Sequence, residues 1–159
     1  MGGPVLCATS LLENVLASWD RNNNILVNLL RIVPTGGLEA KATQDGPSVA
    51  RMFTHMHYVR LVFIAEDAPD LAQVVPENEW LAEPDADRIA RMLNESAKAV
   101  REVVQDRIES RRQMKVMIWH EGYHHGQIKL ALKLAGTPIS DEEAGRVTWS
   151  VWMRKKGAQ

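Results

Sequence analysis

Between Asp85 and Leu134 the chain carries no proline, and no glycine before Gly122, whereas such residues punctuate the rest of it. A tract of that length without a breaker commits the chain to long helices. Within it Ile89, Ala90, Leu93, Ala97, Val100, Val103, Val104 and Ile108 recur at amphipathic spacing, which predicts a helix opened by Asp85 or Asp87. Upstream the same period holds. Ser10 and Glu13 form a capping-box pattern, and Leu12, Val15, Leu16, Trp19, Leu26, Leu29, Leu30 and Val33 follow at helical spacing until Pro34-Thr35-Gly36-Gly37. Asn22-Asn23-Asn24 interrupts that helix with a polar patch suited to a kink or a polar contact. A second helix is expected from Ser48 through SVARMFTHMHYVRLVFIA to about Ala65.

The segment from Glu66 to Pro84 is acidic, contains Pro69, Pro76 and Pro84, and has no sustained period, so it reads as a long crossover. A crossover of that kind lets the second and third helices run parallel. A fourth helix carries HEGYHHGQ and stops at Gly136-Thr137-Pro138. Ser140 and Glu143 then open a short final helix with Trp149 and Trp152, expected to cover one end of the core. No strand or hairpin signal is present. The expectation is a single all-α domain over residues 1–159, a four-helix bundle with a short C-terminal helix. Nothing obvious turns the chain between helices three and four. Either a tight turn lies near Ser110 to Gln113, the preferred reading, or the two helices are fused and the protein swaps segments with a second copy.

The bulk composition narrows the function classes. With 45% hydrophobic and 25% charged residues in 159, one substantial core is available. A formal net charge of -1 supplies no field to attract nucleic acid or an anionic bilayer, and Arg111-Arg112 and Arg154-Lys155-Lys156 are too short to change that. Cys7, the single cysteine, excludes an internal disulfide and suits a cytoplasmic location. The N-terminal stretch lacks the pattern of a signal peptide, and no apolar run reaches membrane-spanning length.

His120 and His124 stand at i and i+4, so one helix face presents both imidazoles to a single ion. The string also reads H-E-x-x-H, the signature of zinc proteases. Extended versions of that signature continue with Gly and His three and six residues on, where this chain has Gln127 and Leu130. Peptide hydrolysis is therefore the weakest reading. A third ligand can come from His55 or His57 on helix two, between which periodicity does not choose; His125 faces elsewhere on its helix. The alternative is that the histidines simply hydrogen-bond within the core.

At HEGYHHGQI, which follows an H-x-x-x-H-x-G-Q pattern, and at the mid-helix histidine of SVARMFTHMH, the sequence resembles the DinB-like superfamily of metal-binding four-helix bundles. SWDRNNNILVNLL and DEEAGRVTWSVWMRK extend the likeness over most of the chain. The resemblance implies an up-down-down-up bundle, frequent homodimers, and a divalent ion on three histidines, here His55, His120 and His124. It also implies action on a small molecule, since several relatives are thiol-dependent S-transferases or isomerases. Relatives usually carry a longer connection between helices three and four than ESRRQMKVMIWHEG.

Imidazole ligation favours zinc, nickel or another borderline divalent metal over magnesium or calcium. The expected chemistry is activation of a thiol or a water for transfer to a small molecule, with Glu121 the nearest candidate for an outer-shell acceptor or general base. A non-catalytic helical dimer fixed by its metal is the rival expectation.

Overall fold

The computed structural model describes residues 10–109 and 117–152. Helix α1 spans Leu11–Arg31, α2 Val49–Asp67, α3 Ala86–Glu109 and α4 Ile118–Leu134. Among the described residues there is no strand, only an isolated antiparallel bridge from Lys41 to Ser48. No helix among them is long and apolar enough to cross a membrane. Cys7, both basic clusters and the expected turn near Ser110 to Gln113 lie outside the described residues.

The capping chemistry sets the helix starts. Ser10 accepts from the Glu13 amide while the Glu13 carboxylate accepts from the Ser10 amide, satisfying two otherwise orphaned donors. Ser48 and Ser140 each accept from the amide three residues on, and Asp85 accepts from the amides of Asp87 and Arg88. At the end of α4, Gly136 takes the left-handed conformation, with φ 79°. The amides of Thr137 and Gly136 then reach back to the carbonyls of Leu132 and Lys133.

Cross-helix contacts fix the direction of each helix. Trp19 bonds to Ala97 and Asn23 to Asn94, so α1 and α3 are antiparallel. His57 meets Met92, and Arg60 meets Leu93 and Ser96, so α2 runs parallel to α3. Asn22 meets Glu121 at one level while the Gly37 turn lies against Leu132 at the next, so α4 runs parallel to α1. The result is the up-down-down-up bundle, made possible by the crossover over residues 68–85. That crossover holds one short 3₁₀ turn, Pro69–Leu71.

Two apolar clusters fill the bundle. One gathers Leu26, Leu30, Phe53, Met56, Leu93, Ile128 and Leu132; the other gathers Leu16, Trp19, Leu61, Ile64, Val100 and Val104. Burial on that scale drives the fold. Between the two clusters lies a polar layer that includes Asn22, Asn23, Arg60, Ser96 and Glu121, all buried. The polar contact anticipated at the asparagine patch is present there.

Two expectations are corrected. Trp149 and Trp152 do not cap the core: they are exposed, 67% and 40%, and lie beside α1 and α4 instead. The C-terminal segment is a helical turn at Asp141–Ala144 (α5), a π turn at Gly145–Trp149 and a last turn at Ser150–Trp152 (α6). Ile108, placed on the apolar face of α3 by periodicity, is 43% exposed because the helix runs past the edge of the core.

Candidate metal centre

The middle of α2 and the first half of α4 bring three imidazoles together. His120 and His124 stand one turn apart, their rings edge to face and their Nε2 atoms 3.1 Å from each other. His55 reaches across from α2, its ring 4.9 Å from that of His124 and 5.3 Å from that of His120, centre to centre. One nitrogen from each ring lies within 4.8 Å of the others.

The surroundings favour neutral imidazole. Burial pushes His55 and His124 down to about 4, and the charges of neighbouring histidines add to the effect. A hydrogen bond with Gln127 and the charge of Glu121 oppose it at His124. His120 is lowered as well, mainly by burial, with Glu121 and Arg60 acting in opposite senses. Neutral imidazole is the protonation state a metal requires.

The Nδ1 atoms of His120 and His124 are buried and have no hydrogen-bond partner among the described residues. Three converging, uncharged nitrogen donors with so little competing hydrogen bonding fit a borderline divalent ion. Nitrogens on a tetrahedral zinc are about 3.3 Å apart, given Zn–N bonds near 2.0–2.1 Å. The His120–His124 spacing is already close to that.

The other histidines go elsewhere. His57 points its Nδ1 at the Met92 carbonyl, 2.8 Å away, and works in the contact between α2 and α3. His125 lies on a different face of α4, against α1 and the C-terminal turns. The structure thus separates His55 from His57, which helical period alone left equal.

Two residues beside the triad escaped the sequence reading. The Trp80 indole stacks on the His55 ring at 3.9 Å with the planes 2° apart, and the Glu79 carboxylate lies 3.1 Å from His55 Nδ1. Both come from the crossover, where the absence of a regular period gave no signal. On the other side Tyr123 packs edge-on to His124, 5.2 Å between centres, and accepts a hydrogen bond from Gln127. Tyr123 is 54% exposed, so it borders the triad from the solvent side rather than from the core.

Glu121 turns away from the triad. It is fully buried, and its two carboxylate oxygens accept from Arg60 Nε at 2.6 Å and Nη2 at 3.0 Å; Asn22 Nδ2 donates to it as well. Arg60, also fully buried, donates further to Asn23, Ser96 and the Leu93 carbonyl, with its guanidinium 4.9 Å from the Trp19 ring centre. All four helices meet at this pair. In a zinc-protease helix the corresponding glutamate serves as general base beside the metal; here its oxygens are taken up by Arg60 and Asn22.

A family model described as the DinB family matches residues 7–150. The chain belongs to the DinB family. No curated protein and no solved structure gives a significant match. For this DinB family member the matched span includes His55, His120 and His124, together with Arg60 and Glu121. The family and the converging triad together fit a metal-binding helical protein.

Proposed function

We propose that His55, His120 and His124 hold one divalent transition ion, zinc or nickel, and that the protein uses it to activate a thiol or a water for transfer to a small molecule. The observation that carries this reading is the convergence of three imidazoles, held neutral by burial, of which His120 is only partly buried. When bound, such an ion lowers the pKa of a coordinated thiol or water, so that a nucleophile exists at neutral pH.

The chain's own residues do the rest. Trp80 holds the His55 ring by stacking, and with Tyr123 it offers aromatic surface to an organic substrate. Glu121, held by Arg60, orients the first turns of α4 and hence the histidine beside it. Its oxygens are taken up by Arg60 and Asn22, so it positions the helix rather than acting as a base. In the transfer itself the thiolate sulfur forms a bond to an electrophilic carbon, and the leaving group departs with its electron pair.

A purely structural ion is less favoured, because α2 and α4 are already joined without it by the Arg60–Glu121 pair and by Phe53, Ile128 and Leu132 in one cluster. A homodimer accompanies the proposal. Trp119, Tyr123, Leu130 and Leu134 form an exposed stripe on the outside of α4, and a Cβ at Gly126 between them would meet nothing. Such a face supports association with a second copy.

The test is a screen of zinc- and nickel-loaded protein with low-molecular-weight thiols and small electrophiles, following the thioether product. Metal-dependent product formation, lost on chelation and in His120→Ala, is expected. Product formation at the same rate in chelated protein would overturn the reading.

A further inference from the structure

On the face of α4 opposite the histidine triad lies a cavity of about 220 Å³, bounded by α1, α4 and the C-terminal turns. We propose that this cavity binds a small uncharged aromatic molecule bearing one hydrogen-bonding group, at a site separate from the metal centre. The inference stands independently of the proposed metal and transferase chemistry.

Size comes first. An apolar cavity of about 150 Å³ accommodates benzene, so the volume here suits a substituted single ring or a compact bicycle. The walls are mostly apolar, with Ile25 and Ile118 on the two long helices and the indoles of Trp149 and Trp152 on the C-terminal side. Trp149 remains 67% exposed although it borders the cavity, so an occupant can cover indole surface that the fold leaves in water.

The wall is also locally built. The Ser140 side-chain cap starts a helical turn, yet five residues later the backbone is a π turn, Gly145–Trp149. The wider turn carries Thr148 and Trp149, both of which line the cavity. Single π turns within α-helical segments are uncommon and frequent at functional sites.

The polar groups select the ligand's character. Glu121 lines the cavity but is compensated by Arg60, so the wall carries no net carboxylate charge. His125 lines it as well, with a buried Nε2 that has no hydrogen-bond partner among the described residues. An uncharged ring with one hydroxyl or amide meets these groups without stranding a charge.

The experiment titrates phenol, toluene and benzoate into the full chain, followed by calorimetry and by amide chemical shifts. Phenol is expected to bind saturably with a Kd of about 1 mM or tighter, the range open to a ligand of that size, and to bind equally with and without chelator. Benzoate is expected to bind at least tenfold more weakly. Gly122→Leu, where a Cβ meets nothing within 4 Å, and Thr148→Leu fill the cavity from opposite walls and should each weaken phenol at least tenfold. His125→Phe should weaken phenol more than toluene. Circular dichroism checks each variant's fold, and Gly122→Leu decides the matter alone if Thr148→Leu does not fold. The proposal is overturned by any of four results: no saturation with phenol; an unchanged Kd in folded Gly122→Leu; loss of binding on chelation, which places the probe at the triad; or binding that disappears as protein concentration rises, which places a second copy in the cavity.

Discussion

Replacing Glu121 with alanine leaves the Arg60 guanidinium buried at 0% exposure without its carboxylate. Removing one partner of a buried ion pair costs about 3–5 kcal/mol, because the surviving charge stays desolvated. For a chain of this size each 1 kcal/mol corresponds to roughly 2–4 °C in midpoint, so the metal-free variant should melt about 6–20 °C below the parent. Replacing both residues by methionine removes the charges together and leaves two or three unmet hydrogen bonds, at Asn22, Asn23 and the Leu93 carbonyl. At about 1 kcal/mol each, the double variant should lose only about 2–3 kcal/mol, well short of the sum of the two single changes. Urea and thermal unfolding of metal-free protein at pH 7, followed by circular dichroism, measure all of these. A loss below about 1 kcal/mol for Glu121→Ala, or additivity in the double variant, would refute the view that this pair ties the bundle together.

Acid should destabilise the metal-free protein over a defined window. His55 and His124 titrate near 4 in the fold against 6.5 in the unfolded chain, so the unfolded state takes up protons first. Stability is full above about pH 6.5 and should fall as pH drops towards 4; a flat profile between those values contradicts the burial of the triad. Trp80→Ala removes the ring stacked on His55 and should weaken metal affinity by about 10–100-fold, as for other supports of metal ligands. Competition against a chromophoric chelator measures it, and unchanged affinity would make the stack incidental. Trp119→Glu on the exposed stripe of α4 should convert the proposed dimer to monomer in light scattering; a variant dimer of unchanged affinity would place the interface elsewhere.

Most of the helical frame was legible in the sequence, because it rests on local signals. Ser10, Ser48 and Ser140 cap where their positions predict, Gly136 ends α4, and the proline-rich segment after α2 is the crossover that makes α2 and α3 parallel. The i, i+4 histidines also declare themselves locally. What a one-dimensional pattern conceals is which polar residues point inward. Arg60 sits among apolar neighbours and resembles a solvated helix residue until Glu121 arrives from another helix 61 positions later. Trp80 gave no sign of its role, since stacking on His55 needs only proximity from an irregular segment and leaves no periodic trace. The π turn at Gly145–Trp149 redirects the C-terminal tryptophans, and no capping or spacing rule signals it.

The central claim is tested most directly by metal content after reconstitution with zinc or nickel at pH 7.5, combined with X-ray absorption at the metal edge. The account predicts one ion per chain with three imidazole nitrogens around it, and loss of high-affinity binding in His55→Ala, His120→Ala and His124→Ala, while His57→Ala retains it. Stoichiometric binding that survives His55→Ala unchanged, or an absorption spectrum without imidazole scattering, would contradict it.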